Sequence, residues 1–215
     1  MNFGGHILTG WLISQQGEFK PAERRAIMLA AIAPDIDGLF VLGPASWREW
    51  HRTFGHNVFW AVAAPLLLLI FLKGGRRKKM APVLFLAMGS HFLLDLFVTG
   101  WWSLMPLWPV SDKAILMSLY IPENIMKYHI QIGLFIILTA LAVYYIRKTK
   151  TTPVEILGRR ADRFFYDFVT MPFRERCSYC NSRAFYRCTV CKAPLCGRHR
   201  KFKSLTEAQC KDGHS

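Results

Sequence analysis

Apolar residues fill four stretches of the chain, Ala26–Trp47, Phe54–Leu72, Met80–Val98 and Tyr128–Ile146, each at least 19 residues long and free of Lys and Arg. Coiled as a helix, 19 residues rise about 28 Å, close to the roughly 30 Å hydrocarbon core of a bilayer. The pattern predicts an all-α membrane helical bundle. A further apolar segment, His6–Gln15, is shorter and Gly-rich, so the expected count is four to five helices, with the first tilted or re-entrant. No Lys or Arg precedes the first apolar residues and no small-residue cleavage pattern comes after them, so no cleaved signal peptide is expected.

Beyond Ile146 the pattern changes. Thr149–Pro153 reads as a linker, and Val154, Leu157, Ala161, Phe164, Phe165 and Phe168 then recur at helical spacing with Arg159, Arg160 and Arg163 between them. Such a helix lies on the inner membrane surface or packs against the segment C-terminal to it. All six cysteines fall between Cys177 and Cys210, which marks a separate module. The expected organisation is a membrane domain at 1–148, a linker and amphipathic helix at 149–176 and a zinc finger at 177–215.

Charge fixes the orientation. The chain carries 28 Lys and Arg against 14 Asp and Glu, and 16 of those basic residues lie after Ile146. Within the apolar part the basic clusters are Lys20, Arg24, Arg25 and then Lys73, Arg76, Arg77, Lys78, Lys79. Placing these and the tail on the cytoplasmic side satisfies the positive-inside rule with few exceptions. The loop Thr99–Lys127, with Trp101, Trp102 and Trp108, then lies outside as an interfacial aromatic belt. The chain is thus expected to be a multi-pass protein of the plasma membrane with a cytoplasmic finger.

Under that topology the ionisable residues of the membrane part gather toward the outer face: His6, His51, His56, His91 and His129, with Asp35, Asp37 and Asp95. Carboxylates and imidazoles are costly inside a bilayer unless paired or bound to a metal. His91 and Asp95 stand four apart and share a helix face. Asp35 and Asp37 would diverge on an ideal helix, but Pro34 and Gly38 flank them, so a kink or unwinding there lets both face one cavity. His51 and His56 bracket the entry to the next span, with Arg52 available to an anion. Imidazoles mixed with carboxylates suit Zn²⁺, Mn²⁺ or Fe²⁺ better than Ca²⁺. A divalent metal with an open position polarises a phosphoryl or acyl oxygen and activates water.

Gly5-His6, Ala33-Pro34-Asp35-Ile36-Asp37, His51-Arg52-Thr53 followed by His56, and His91 with Asp95 ahead of Thr99-Gly100 resemble, in order and spacing, the YdjM family of inner-membrane proteins. The resemblance covers about residues 1–146. It implies a LexA-regulated, membrane-bound, metal-dependent hydrolase, whose helical ligand pattern is similar to that of zinc-dependent phospholipase C. Where the family usually has Thr-His-Ser, this chain has Gly55-His56-Asn57, which keeps the His.

In the tail, Cys177-x2-Cys180, Cys188-x2-Cys191, Cys196-x2-His199 and Cys210-x3-His214 supply four ligand pairs, enough for two structural Zn²⁺ ions. Alternate pairs would share an ion in a cross-brace: Cys177, Cys180, Cys196 and His199 at one site, Cys188, Cys191, Cys210 and His214 at the other. The run Cys188–Arg200 resembles the AN-one class of zinc finger, although that class closes with His before Cys. Four protein ligands per ion leave no catalytic position there.

The sequence reading is therefore a membrane-bound metal-dependent hydrolase acting on a lipid or another phosphoester or ester. Its candidate metal ligands are His6, Asp35, Asp37, His56, His91 and Asp95; His51 or His129 serves as general base or further ligand, and Arg52 as anion clamp. Its partners are membrane lipids and a protein recognised by the finger. Nucleic acid is less favoured, because a basic face near anionic lipids needs no other partner. The rival readings are a metal or ion transporter and a non-enzymatic anchor that presents the finger.

Overall fold

The computed structural model describes residues 3–36, 55–72, 75–98, 105–115, 121–122, 125–170, 175–188 and 190–199. It is mostly helical and divides into two units, Met1–Thr149 and Lys150–Ser215. In the first unit, α1 (Phe3–Ser14) is followed by α2 (Pro21–Ile32), which runs into a 3-10 turn at Ala33–Ile36. Then come α3 (Val58–Ile70), α4 (Arg76–Val98), and a π-type turn at Ile125–Ile130 that leads into α5 (Gln131–Thr149).

Among the described residues two helices are long and apolar enough to cross a membrane, Arg76–Leu96 and Gln131–Thr149. The other apolar stretches are interrupted, for identifiable reasons. In the stretch Ala26–Trp47 the α-helix stops at Ile32 and tightens into the 3-10 turn that carries Pro34 and Asp35, as a proline with no N–H dictates. Residues 37–47 lie outside the described part. In Phe54–Leu72 the helix begins only at Val58, because Asn57 accepts a hydrogen bond from the Trp60 backbone N–H at 2.8 Å and caps it. At 12 residues, α1 is about 18 Å long and shorter than the hydrocarbon core.

The core of the first unit lies between α2 and α4. Met80, Leu84, Ala87 and Met88 of α4 are buried at three- and four-residue spacing, one helix face, and Ile27, Ala30 and Ala31 of α2 join them in the core. The same α4 face continues with His91 and Asp95. The buried stripe is thus apolar for most of its length and turns ionisable at its C-terminal end.

Helix α1 sits against α2 through Gly10. A Cβ added there would meet the Ala31 Cβ at 2.7 Å and the Met28 Cα at 3.0 Å, so α1 would have to move away. Gly10→Ala is therefore expected to destabilise the unit by about 1–3 kcal/mol. Because His6 lies one helical turn from Gly10, the same variant should weaken metal binding; thermal melting and metal analysis of the purified variant check both effects.

The opposite end of the bundle is basic. The Glu23 carboxylate accepts from Arg76 at both oxygens, Nε to Oε1 at 2.6 Å and Nη2 to Oε2 at 2.5 Å, and from the Lys20 backbone N–H at 2.7 Å. The Arg76 hydrogen bond, with help from Lys20 and against the effect of burial, holds the Glu23 pKa down to about 2. The ion pair thus joins the start of α2 to the start of α4. His91 stands 15 residues further along α4, a rise of about 22 Å, so the basic end and the His/Asp end are well separated.

In the second unit a 3-10 turn (Pro153–Leu157) precedes α6 (Arg159–Thr170) and a two-stranded antiparallel ribbon of β1 (Tyr186–Arg187) and β2 (Pro194–Leu195). Asp162 accepts from the Thr152 backbone N–H at 2.6 Å and from its hydroxyl at 2.8 Å, which ties the linker to α6. Phe164 and Phe168 of α6 pack on Tyr186 and Phe185, with ring centroids 5.4 and 6.4 Å apart. The helix thus packs against the finger, while Leu157 and Val169 are exposed.

Candidate metal centres

Three elements bring the ionisable groups of the first unit together. The end of α4 supplies His91 and Asp95, the 3-10 turn after α2 supplies Asp35, and the residue before the Asn57 cap is His56. The Trp60 indole N–H donates to the Ala33 carbonyl at 2.9 Å and ties α3 to the turn that carries Asp35. Four atoms then converge: Asp35 Oδ1, His56 Nε2, His91 Nε2 and Asp95 Oδ2, all within 4.8 Å of one another. The two Nε2 atoms are 3.1 Å apart. From His56 Nε2 the distances are 3.7 Å to Asp35 and 3.4 Å to Asp95, and from His91 Nε2 they are 3.5 and 3.7 Å.

These spacings test the fit to a metal. A tetrahedral cation with bonds of about 2.0–2.2 Å needs donor–donor edges of about 3.3–3.6 Å; the five edges that involve an imidazole are 3.1–3.7 Å and bracket that range, and Asp35 and Asp95 lie within 4.8 Å of each other. The tautomer agrees as well. His91 Nδ1 lies 2.7 Å from the Ala31 carbonyl oxygen, which can only accept, so Nδ1 carries the proton and Nε2 presents its lone pair to the site. The side chains of His56, His91 and Asp95 are almost wholly buried, whereas that of Asp35 keeps 12% exposure. The site is therefore most accessible beside Asp35.

His6 touches this set through Asp95. Its Nε2 is 3.1 Å from Asp95 Oδ1, and its ring stacks on that of His91 with centroids 3.7 Å apart. By donating to one carboxylate oxygen, His6 leaves the other directed at the two imidazoles. His129 is exposed in the turn before α5. Asp37, His51 and Arg52 lie outside the described residues.

The finger holds a second convergence. Cys177, Cys180, Cys196 and His199 offer four donor atoms within 4.8 Å of one another. Cys177 Sγ to His199 Nδ1 is 3.5 Å, Cys196 Sγ to His199 Nδ1 is 3.4 Å and Cys180 Sγ to Cys196 Sγ is 3.5 Å, as a Cys₃His zinc site with Zn–S of about 2.3 Å requires. Hydrogen bonds from the Ser182 side chain and backbone pull the Cys180 thiol down to about 6. Burial pushes the Cys177 thiol up, but backbone hydrogen bonds from Tyr179 and Cys196 and the contact with His199 outweigh it, so the net shift is downward. The same contact raises His199. Cys196 shifts the other way: the backbone hydrogen bonds from His199 and Arg198 lower it, but burial and the contacts with Cys180 and Cys177 outweigh them.

Cys188 and Cys191 form the same kind of turn as Cys177 and Cys180. In each, the N–H of the residue after the second Cys returns to the carbonyl of the first, Asn181 to Cys177 at 3.1 Å and Lys192 to Cys188 at 3.2 Å. Asn181 and Lys192 have φ of 57° and 63°. Two knuckles of one geometry support two ligand pairs of one kind. Cys210 and His214, the expected partners of the second pair, lie outside the described residues.

Residues 1–158 match the YdjM inner membrane protein family. The chain belongs to the YdjM family. Neither a curated protein nor a solved structure matches it. The YdjM match spans His6, Asp35, His56, His91 and Asp95 and ends before α6, so the finger lies outside it. The apolar helices α4 and α5 accord with an inner membrane family. Asn57 supplies the cap of α3. In the sequence it stood out only as a departure from the motif of the resemblance; its position ahead of an apolar run was the signal for a cap. The Ala31 carbonyl, which sets the His91 tautomer, carries no side-chain signal at all.

Proposed function

We propose that this YdjM protein is a metal-dependent hydrolase of a lipid or another phosphoester or ester at the outer membrane face, with a structural zinc finger on the cytoplasmic side. The observation that carries the reading is the convergence of Asp35, His56, His91 and Asp95 at metal-ligand spacing at one end of the bundle. The orientation rests on the other end, where Lys20, Arg24 and Arg76 cluster, and on Arg147 and Lys148 in the last turn of α5. A divalent cation held there supplies Lewis acidity toward a phosphoryl or acyl oxygen. Two imidazoles and two carboxylates suit Zn²⁺ or Mn²⁺.

The chain's own residues divide the remaining work. Asp35 is the most exposed of the four, and His6 orients Asp95. His51 and His129 remain the proposed bases, and Arg52 the proposed clamp on a phosphate or carboxylate. The finger, closed around its ions, presents a basic surface to a protein partner or to anionic lipid headgroups.

Transport is the second reading, and the buried stripe argues against it. Between the cluster and the Glu23–Arg76 pair the core residues are Ile27, Ala30, Ala31, Met80, Leu84 and Ala87, which offer an ion no polar path among the described residues. The test uses the full chain purified in detergent, with metal analysis, hydrolysis of long-chain phosphatidylglycerol, and uptake of Zn²⁺ or Mn²⁺ into proteoliposomes. Hydrolysis abolished by a chelator and restored by Zn²⁺ or Mn²⁺ is the expected result. Metal uptake without hydrolysis would favour transport, and a first unit without metal would leave the anchor reading.

A further inference from the structure

A groove of about 420 Å³ lies between α3 and α4 and reaches His56, within the size range of small-molecule sites. Val58 and Ala61 of α3 face Gly89, Phe92, Leu93 and Leu96 of α4, and Pro106 and Ile115 complete the apolar lining. Only at the end with His56 and Asn57 do polar side chains line it. Gly89 leaves the α4 wall open: a Cβ there would meet nothing within 4 Å. Val58 and Leu93 are 43% and 57% exposed, and α4 is one of the two helices able to cross the membrane. In the proposed bilayer placement the neighbour of that surface is hydrocarbon.

The distribution of polarity identifies the occupant. An apolar groove whose polar lining is confined to His56 and Asn57 matches a molecule with an aliphatic body and a single polar end. A peptide or a helix from a second copy would bring a row of polar backbone groups that must be satisfied internally in lipid. A water-soluble phosphoester would leave the groove empty. We propose that the groove holds one acyl chain of a membrane lipid and delivers the attached ester or phosphoester end to the cluster at His56. The substrate class is then a long-chain lipid. The cleavage of that lipid rests on the hydrolase reading, whereas occupancy of the groove does not, so the two can be tested separately.

The occupancy arm uses the full chain in detergent micelles with a phosphatidylglycerol that carries a diazirine on one acyl chain. Photolabelling of the peptide that contains Gly89–Leu96, competed by excess unlabelled phosphatidylglycerol, is expected. Gly89→Phe and Ala61→Phe fill the groove from opposite walls, so both should lose that labelling. Gly133→Phe on α5 adds the same bulk where a Cβ also meets nothing within 4 Å, and it should keep the labelling. Labelling that survives in both groove variants, or that is not competed, would overturn the proposal.

The activity arm compares long-chain with dibutyryl phosphatidylglycerol. Gly89→Phe should reduce the preference for the long chain roughly tenfold or more, the scale on which an apolar pocket discriminates lost methylenes. An unchanged preference would overturn the groove and leave the hydrolase standing. Competed labelling in a wild-type protein that hydrolyses neither lipid would do the reverse.

Discussion

Asp95→Asn should strip the metal from the first unit and leave the chain folded. Asp95 is almost wholly buried, with one oxygen 3.1 Å from His6 Nε2 and the other 3.4 Å from His56 Nε2. An asparagine is the same size. Its carbonyl oxygen can still accept from His6, and its amide N–H can donate to an imidazole lone pair, so the buried polar groups stay satisfied. As a neutral amide, however, it is a poor ligand for a borderline divalent cation. Losing even an outer partner of a metal ligand costs 10–100-fold in affinity, so losing a charged ligand should cost more than about 100-fold. Metal analysis, with circular dichroism as the check on folding, reads the two effects apart. His91→Gln is expected to behave alike, with the added loss of the bond to the Ala31 carbonyl. If Asp95→Asn folds normally and retains full metal, Asp95 is a structural partner of His6 and the hydrolase reading loses its central ligand.

How far the sequence revealed this site depends on how local each signal is. His91 and Asp95 could be paired because four residues along a helix is one turn, a relation that needs no tertiary information. Pro34 announced a break after Ala33, and the 3-10 turn at Ala33–Ile36 is that break. The gathering of His6, Asp35, His56 and Asp95 was legible only through the basic residues, which order the helix ends by membrane side. Charge gives a level in the bilayer but no contacts. That His6 stacks on His91 and reaches Asp95 depends on the approach of α1 to α2 at Gly10, and the sequence reading noted only that this segment is short and Gly-rich. Hydropathy also began the stretch Phe54–Leu72 ahead of its helix, because it scores residues and not hydrogen bonds. Val58 starts α3 where Asn57 caps it, within a stretch that hydropathy begins at Phe54.

Cys177→Ser should unfold the finger, and Cys188→Ser should show whether it holds one ion or two. Among its described residues the second unit has little core to stabilise it without metal: beside the ligand cysteines the buried apolar residues are Ala184 and Leu195, and the sheet is a ribbon of two-residue strands. A two-stranded ribbon of that length is not stable alone. Structural zinc supplies about 10–16 kcal/mol of apparent binding energy in small fingers, and that energy is folding energy. Removing one thiolate from the Cys177, Cys180, Cys196, His199 set thus removes most of what orders the unit. Cys188 has two roles, since it is buried in the small core with Leu195 and it also forms a knuckle like that of Cys177. Cys188→Ala keeps a small apolar group in that core but removes the ligand, and Cys191→Ser removes the exposed member of the pair. If the second pair binds zinc, Cys188→Ala and Cys191→Ser should each lower the zinc content of the full chain by about one ion. Both should leave the metal of the first unit in place. A full zinc content in both variants would make the Cys188–Cys191 turn a knuckle without an ion, and the finger a single-zinc module.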